Sequence, residues 1–136
     1  MSPIAHRWIA VGALLAAAGV ALGAYGAHGL SGLLSGRGYE GEDLARRLAN
    51  YETAVRYQMF HALGLVLVGL ALAGNAPGVW RWSAWAMLLG VLLFSGLLYV
   101  LALAGPDWRW LGRIVPLGGL SLIVAWVLLA IGAMRK

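Results

Sequence analysis

The chain of 136 residues is 62% hydrophobic, has a mean hydropathy of +0.82 and carries a formal net charge of +5. A soluble domain of this size exposes much of its surface to water, so it cannot hide that much apolar side chain in one core. The sequence contains no cysteine, which excludes disulfides, thiolate metal ligands, iron–sulfur clusters and a cysteine nucleophile. These features predict an integral membrane protein.

Four apolar stretches are long enough to cross a hydrocarbon core of about 30 Å, which takes about 20 helical residues. They lie at roughly 8–30, 54–73, 82–104 and 114–134. Lipid offers the backbone no hydrogen-bond partners and so short a chain cannot close a β-barrel, so the spans must be helices. The sequence predicts one all-α transmembrane domain over residues 1–136, a four-helix bundle with both termini on one side.

The first span carries a seam of small residues on one helical face. Its members follow 4-3-4-3 spacing: Gly12, Ala16, Gly19, Gly23 and Gly26. Such a face lets another helix backbone approach closely, and this packing replaces the hydrophobic force that holds soluble bundles together. We expect the seam to contact a helix of the same chain. Contact with a second copy is the alternative, and a homo-oligomer is therefore a possible assembly.

The first linker is glycine-rich in "SGLLSGRGYEG" and then changes to "EDLARRLANYETAVRY". In the second part Leu44, Leu48, Tyr51 and Val55 recur at helical spacing. Three acid-before-base pairs are four residues apart: Glu42 and Arg46, Asp43 and Arg47, Glu52 and Arg56. We predict a short amphipathic helix over about 42–55 that lies at the interface and runs into the second span. Its charged face is either solvated or a recruitment surface.

Polar residues of the first two spans fall near one depth, on the first-linker side. The stretch "GAYGAHGL" ends the first span and "RYQMFHALG" opens the second, and these spans run antiparallel. The candidate cluster consists of Tyr25, His28, Arg56, Tyr57, Gln58 and His61. Polar groups at membrane depth are costly unless paired, so the cluster is a candidate site for a small ligand or a lipid headgroup.

Two explanations of the histidines stay open. They could bind a metal or a haem iron, or hydrogen-bond a quinone, as in a membrane redox protein. Alternatively, His28 and His61 bond each other, a tyrosine or a backbone carbonyl and fix the helix register. We favour the second explanation, because two histidines without cysteine or a nearby intramembrane carboxylate make an incomplete metal site. No catalytic residue, metal ligand or cofactor is therefore assigned.

The acidic residues argue against an ion-coupled transporter. All of them lie in linkers or at a boundary, whereas coupled carriers usually hold a carboxylate within a span. No hydrolase triad, zinc-protease motif, P-loop or dinucleotide fingerprint is present. The sequence favours a non-enzymatic packing or interaction component. An uncoupled transporter or pore is the alternative, and its path would be lined by Tyr25, Tyr57, Gln58 and Ser95.

Motifs in all four spans carry a family resemblance. They are "LGAYGAHGL", "YETAVRYQMFHALGLVLVG", "LLFSGLLYVLAL" and "GRIVPLGGLSLIVAW". Together they resemble the small membrane-protein family that includes bacterial YgdD. The positions that match its motifs are Gly23, Gly26, His28, Gly29, Tyr57, Gln58, His61, Ser95, Gly96, Pro116 and Gly119. The resemblance implies four transmembrane helices and the bacterial inner membrane, and it implies no catalytic or ligand residue. Val115 replaces a commoner threonine, so no hydroxyl role is expected there.

Arginine and lysine flank the spans, where they meet phosphate headgroups and set the topology. One side carries Arg37, Arg46, Arg47, Arg56, Arg109 and Arg113, and the other carries Arg7, Arg81, Arg135 and Lys136. By the positive-inside rule this favours a cytoplasmic first linker. No basic face is interleaved with exposed aromatic residues, so we expect membrane lipids and no nucleic acid as partners.

Overall fold

The computed structural model describes residues 2–74 and 76–134, and across these residues it contains helices and short connections but no β-strand. Four helical segments are long and apolar enough to cross a membrane: Pro3–His28, Gly41–Ala71, Val79–Leu103 and Pro106–Met134. The predicted fold class, an all-α integral membrane protein with four spanning helices, is confirmed. The connections between successive spans alternate between the two ends of the bundle, which is the topology that four spans require.

The first span is the helix α1 (Pro3–His28), and it is longer than the apolar run that begins at Trp8. Ser2 caps its start, because the Ser2 Oγ accepts a hydrogen bond from the Ala5 N–H at 3.3 Å. Proline occupies the first turn, where its missing N–H removes no helical hydrogen bond. The helix therefore starts before the membrane-spanning part of the sequence.

The glycine-rich first linker is more ordered than its composition indicates. It contains a short helix, α2 (Leu30–Gly36), whose Leu30 and Leu34 are fully buried against Tyr51. The chain then turns through Gly38 and Gly41, whose φ angles of 84° and 54° lie in the left-handed region that favours glycine. This turn leads directly into the second span.

The amphipathic segment is not a separate helix. It forms the first turns of α3 (Gly41–Ala71), which continues without a break into the membrane. Two of the expected ion pairs form, Asp43 with Arg47 and Glu52 with Arg56. The predicted pair of Glu42 and Arg46 is replaced by Asp43 and Arg46, which are one residue closer in sequence.

The third span is divided by a change of helix type. It consists of α4 (Val79–Val91), a π-helical turn (Leu92–Gly96) and α5 (Leu97–Leu103). The π-helical turn lies where the fourth span comes closest, since a side chain at Gly118 would collide with the Leu93 and Phe94 backbone. Such single turns occur where a helix must widen locally. The bundle thus uses glycine on one helix and an irregular turn on the other to bring the backbones together.

A 3₁₀ segment (Pro106–Arg113) connects the third span to α6 (Val115–Met134). Within the described chain, α1 packs mainly on α3, α6 packs mainly on α4, and α3 joins the two pairs through the third span. Four residues of α1 are buried, against ten of α3, so α3 is the central helix. The Trp8 and Trp80 side chains are both buried between helices.

Candidate functional site

The small-residue seam of α1 lies against α3 of the same chain. A Cβ atom at Gly12 would stand 2.7 Å from the Ala62 carbonyl oxygen, and one at Gly26 would stand 2.8 Å from the Tyr51 ring. Gly19 and Gly23 face Met59 and Val55 in the same way, and Ala16 is partly buried between them. The seam is therefore occupied within the chain.

Gln58 lies inside the bundle, where it connects three helices. Its side-chain Nε2 donates to the Leu15 carbonyl of α1 at 2.8 Å, and its Oε1 accepts from the Tyr99 hydroxyl of α5 at 2.9 Å. The side chain is only 4% exposed. Both ends of the amide are satisfied, so Gln58 positions helices and is closed to a ligand.

Tyr25 and His28 lie at the other end of the predicted cluster, exposed at the linker end of α1. No hydrogen bond or ion pair joins the His28 ring to another residue in the described ranges. Since Gly26 is level with Tyr51 and His28 lies two residues farther toward the linker end, His28 and His61 are separated by about 18 Å along the α3 axis, at 1.5 Å per residue. The structure does not bring the two histidines of one chain together.

The remaining three members of the predicted cluster share a groove. Arg56, Tyr57 and His61 line a cavity of about 510 Å³ on the outer face of α3, opposite Trp126 of α6. The other lining residues are apolar or small: Phe60, Leu63, Gly64 and Leu67. Tyr57 stacks on the His61 ring at 6.0 Å between centroids, and Trp126 lies 6.1 Å from His61 on the other side. We call this cavity the α3–α6 groove.

His61 is the polar group at the base of the α3–α6 groove, and only 6% of it is exposed. Its Nδ1 lies 2.7 Å from the Tyr57 carbonyl oxygen. A carbonyl cannot donate, so Nδ1 carries the proton in that bond, and a neutral imidazole then presents Nε2 as an acceptor. Nε2 has no hydrogen-bond partner among residues 2–74 and 76–134. It is also not one of the fully buried side-chain atoms that lack a partner in these residues.

Arg56 stands at the mouth of this groove and pairs with Glu52, and both side chains are largely exposed. Arg56 also borders a second cavity of about 520 Å³ between α1 and α3, which is lined by Gly23, Gly26, Leu48 and Tyr51 among others. His61 lies about 7 Å deeper along α3 than Arg56, since each residue adds 1.5 Å. We therefore expect the charged pair near the headgroup level and His61 on its hydrocarbon side.

Two of the alternative functions were expected to use residues that the structure places apart, His28 and His61 for the redox protein and the four pore residues for the transporter. Among the described residues no group of three or more His, Cys, Asp or Glu side chains could hold a metal ion. The four residues of the expected pore are not on one path, because Gln58 and Ser95 are buried whereas Tyr25 and Tyr57 are exposed outside the bundle.

Sequence reasoning missed one buried charged residue of the bundle. Arg47, expected on a charged surface, is 3% exposed, and its Nη1 donates to the carbonyls of Ala102 at 3.0 Å and Ala104 at 2.7 Å. A signal for Arg47 was present, because it continues the helical face of Tyr51 and Gln58 with 4-3-4 spacing through Ala54.

Comparison with known proteins assigns the family. The sequence profile described as "Protein of unknown function (DUF423)" matches residues 22–119. A UPF0382 membrane protein of Staphylococcus haemolyticus is 41% identical over 128 residues, which cover 94% of this chain and 95% of that protein. The chain therefore belongs to the DUF423 family of UPF0382 membrane proteins. DUF423 relatives also include the UPF0382 membrane protein YwdK of Bacillus subtilis, 38% identical over 94% of this chain and 96% of its own length.

A further bacterial relative is the UPF0382 membrane protein of Haemophilus influenzae. It is 38% identical over 121 residues, which cover 86% of this chain and 85% of that protein. No solved structure matches the chain. The profile match includes Arg56, Tyr57 and His61 but ends before Trp126, so one wall of the α3–α6 groove lies outside the matched segment.

Proposed function

We propose that this DUF423 protein is a non-enzymatic component of the bacterial inner membrane that binds a hydroxyl-bearing lipid in its α3–α6 groove. The observation that carries the proposal is the Nε2 atom of His61, which is an acceptor without a partner among the described residues and lies in an apolar groove. A polar atom at that depth is costly unless a ligand or another group bonds it.

The groove has the composition that a lipid requires. Phe60, Leu63, Leu67 and Trp126 form apolar walls that suit an acyl chain, and the cavity of about 510 Å³ falls within the usual size of small-ligand sites. The ligand has to supply a donor, because Nδ1 is bonded to the Tyr57 carbonyl and only the Nε2 acceptor is free. A lipid hydroxyl just below the headgroup level meets both conditions.

The location and assembly belong to the same proposal. The bacterial relatives support the inner membrane, and membership of the narrower YgdD-like group stays a prediction from the motifs. A homo-oligomer also stays a prediction. Because the glycine seam of α1 is occupied by α3, a second copy would have to use a different face.

The test uses the purified protein in lauryl dimethylamine oxide, a detergent without a hydroxyl group. Dioleoylglycerol is the probe, because it offers one hydroxyl and two acyl chains but no phosphate, and native mass spectrometry measures the bound lipid and the number of chains. We expect a stoichiometric adduct that His61→Leu weakens about fivefold or more, because one hydrogen bond is lost.

His28→Leu is the matched control, because it removes the other histidine of the predicted cluster from an exposed position. It should leave the adduct unchanged. The acetate ester of dioleoylglycerol, which lacks the hydroxyl, should bind as weakly as dioleoylglycerol binds to His61→Leu. Equal binding of both lipids, or equal loss in both variants, would overturn the proposal.

A further inference from the structure

A second cavity at the first-linker end has a different chemistry from the α3–α6 groove. It lies between the first turns of α3 and the 3₁₀ segment, and its volume is about 270 Å³. Arg46, Arg47 and Arg109 line it together with Asn50, and Gly105 and Gly112 form part of its wall. We call it the arginine pocket.

Arg47 is fixed at the base of the arginine pocket before any ligand arrives. Its Nη1 donates to the last carbonyls of α5, its Nε donates to the Asp43 carboxylate at 3.3 Å, and its guanidinium lies 3.7 Å from the Tyr39 ring centroid. Its Nη2 has no bond to any residue in the described part of the chain. A guanidinium held in this way binds an anion with little further loss of side-chain entropy.

The pocket has an excess of positive charge. Asp43 is the one acidic group that contacts its arginines in the described chain, and it is shared by all three: Arg46, Arg47 at 3.3 Å and Arg109 at 3.6 Å. Neither Glu42 nor Asp107 lines the cavity. One carboxylate among three guanidinium groups leaves two positive charges without a counter-ion.

The depth of the pocket agrees with the headgroup layer. Trp108 and Trp110 on the 3₁₀ segment are half exposed, and such aromatic residues mark the interface between hydrocarbon and water. Arginine forks match the oxygens of phosphate in paired hydrogen bonds, and the cavity is smaller than the usual site for a drug-sized molecule. We propose that the arginine pocket binds a phosphate group, carried by an anionic lipid headgroup or by a soluble phosphate compound.

The proposal is tested with two probes on the full chain in dodecyl maltoside. Phosphatidylglycerol represents the lipid source and inorganic phosphate the soluble source, and sulfate at equal ionic strength controls for charge alone. Native mass spectrometry measures lipid affinity and calorimetry measures phosphate affinity. We expect Arg109→Gln to lower the affinity for whichever probe binds by about tenfold, because a charge-assisted hydrogen bond is lost.

Arg113→Gln is the matched control, because it removes an exposed arginine from the same 3₁₀ segment without touching the pocket. Both variants keep Arg47, whose loss could prevent folding. Binding of phosphatidylglycerol alone assigns the lipid source, and binding of phosphate in preference to sulfate assigns the soluble source. Equal weakening by both substitutions, or binding of neither probe, would overturn the proposal.

Discussion

Side-chain hydrogen bonds to backbone carbonyls hold the third and fourth spans together. Ser83 donates to the Ala125 carbonyl at 2.7 Å, Ser121 donates to the Ala86 carbonyl at 2.8 Å, and the Trp80 indole donates to the Leu129 carbonyl at 3.0 Å. Each carbonyl belongs to a helix and keeps a second lone pair for such a bond. These hydrogen bonds fix how the two apolar helices are aligned along their axes.

The two fully buried serines of the third span should respond differently to the same substitution. Ser83→Ala loses its bond to Ala125, so we expect the free energy of unfolding to fall by about 0.5–1.5 kcal/mol. The Ser95 hydroxyl is buried with no hydrogen-bond partner in the described chain, so Ser95→Ala should leave stability unchanged or raise it slightly. Unfolding in a dodecyl sulfate titration measures both. A larger loss at Ser95 would mean that its hydroxyl has a partner.

At the scale of the helix, glycine positions decide how closely the backbones approach. The seam of α1 meets α3 at Gly12, where the contact is with backbone atoms, and at Gly19, where it is with the Met59 side chain. A flexible methionine can move aside, but a helix backbone cannot. The spacing in the sequence identified the face, whereas the distinction between these two glycines required the packed structure.

Alanine substitutions test this difference. A Cβ at Gly12 would stand 2.7 Å from the Ala62 oxygen and 2.9 Å from the Val66 nitrogen, so Gly12→Ala should lower the free energy of unfolding by about 1–3 kcal/mol. Gly32 of α2 has no atom within 4 Å of its Cβ position, so Gly32→Ala should raise stability by up to about 1 kcal/mol. Thermal unfolding in detergent compares the two. Equal effects would show that α1 is not packed on α3 as described.

At the scale of the whole molecule, two linkers meet at one end of the bundle. Arg47 donates to the end of α5, and the Arg37 Nη1 donates to the Leu103 carbonyl at 3.0 Å. These contacts place the first linker and the 3₁₀ segment on the same side. Most of the described arginines therefore belong to one end, while Arg7 and Arg81 belong to the other. Arg135 and Lys136, also expected there, lie outside the described residues.

The charge difference predicts the orientation. With the linker end in the cytoplasm, both chain termini face the periplasm, because four spans return the chain to its starting side. Alkaline phosphatase fused to the C-terminus should be active, whereas green fluorescent protein at the same position should be dark. The opposite pattern would place the arginine pocket on the outer face. A fusion inserted at Gly38, in the first linker, is the internal control and should give the reverse result.

Composition and the lengths of the apolar runs were enough to predict the class of this protein, because an apolar run of about 20 residues has one stable form in lipid. The sequence also predicted the α1 seam and the continuation of the amphipathic segment into α3, since both follow from helical spacing. The sequence could not show which of the candidate polar residues are buried between helices and which are exposed, because the rotation of a uniformly apolar helix is not set by its own periodicity. The packing of the helices is what brings Gln58 against Tyr99 and separates His28 from His61. The burial of Arg47 also depends on the tertiary structure. The carbonyls of Ala102 and Ala104 that accept its hydrogen bonds lie at a helix end that is distant in sequence.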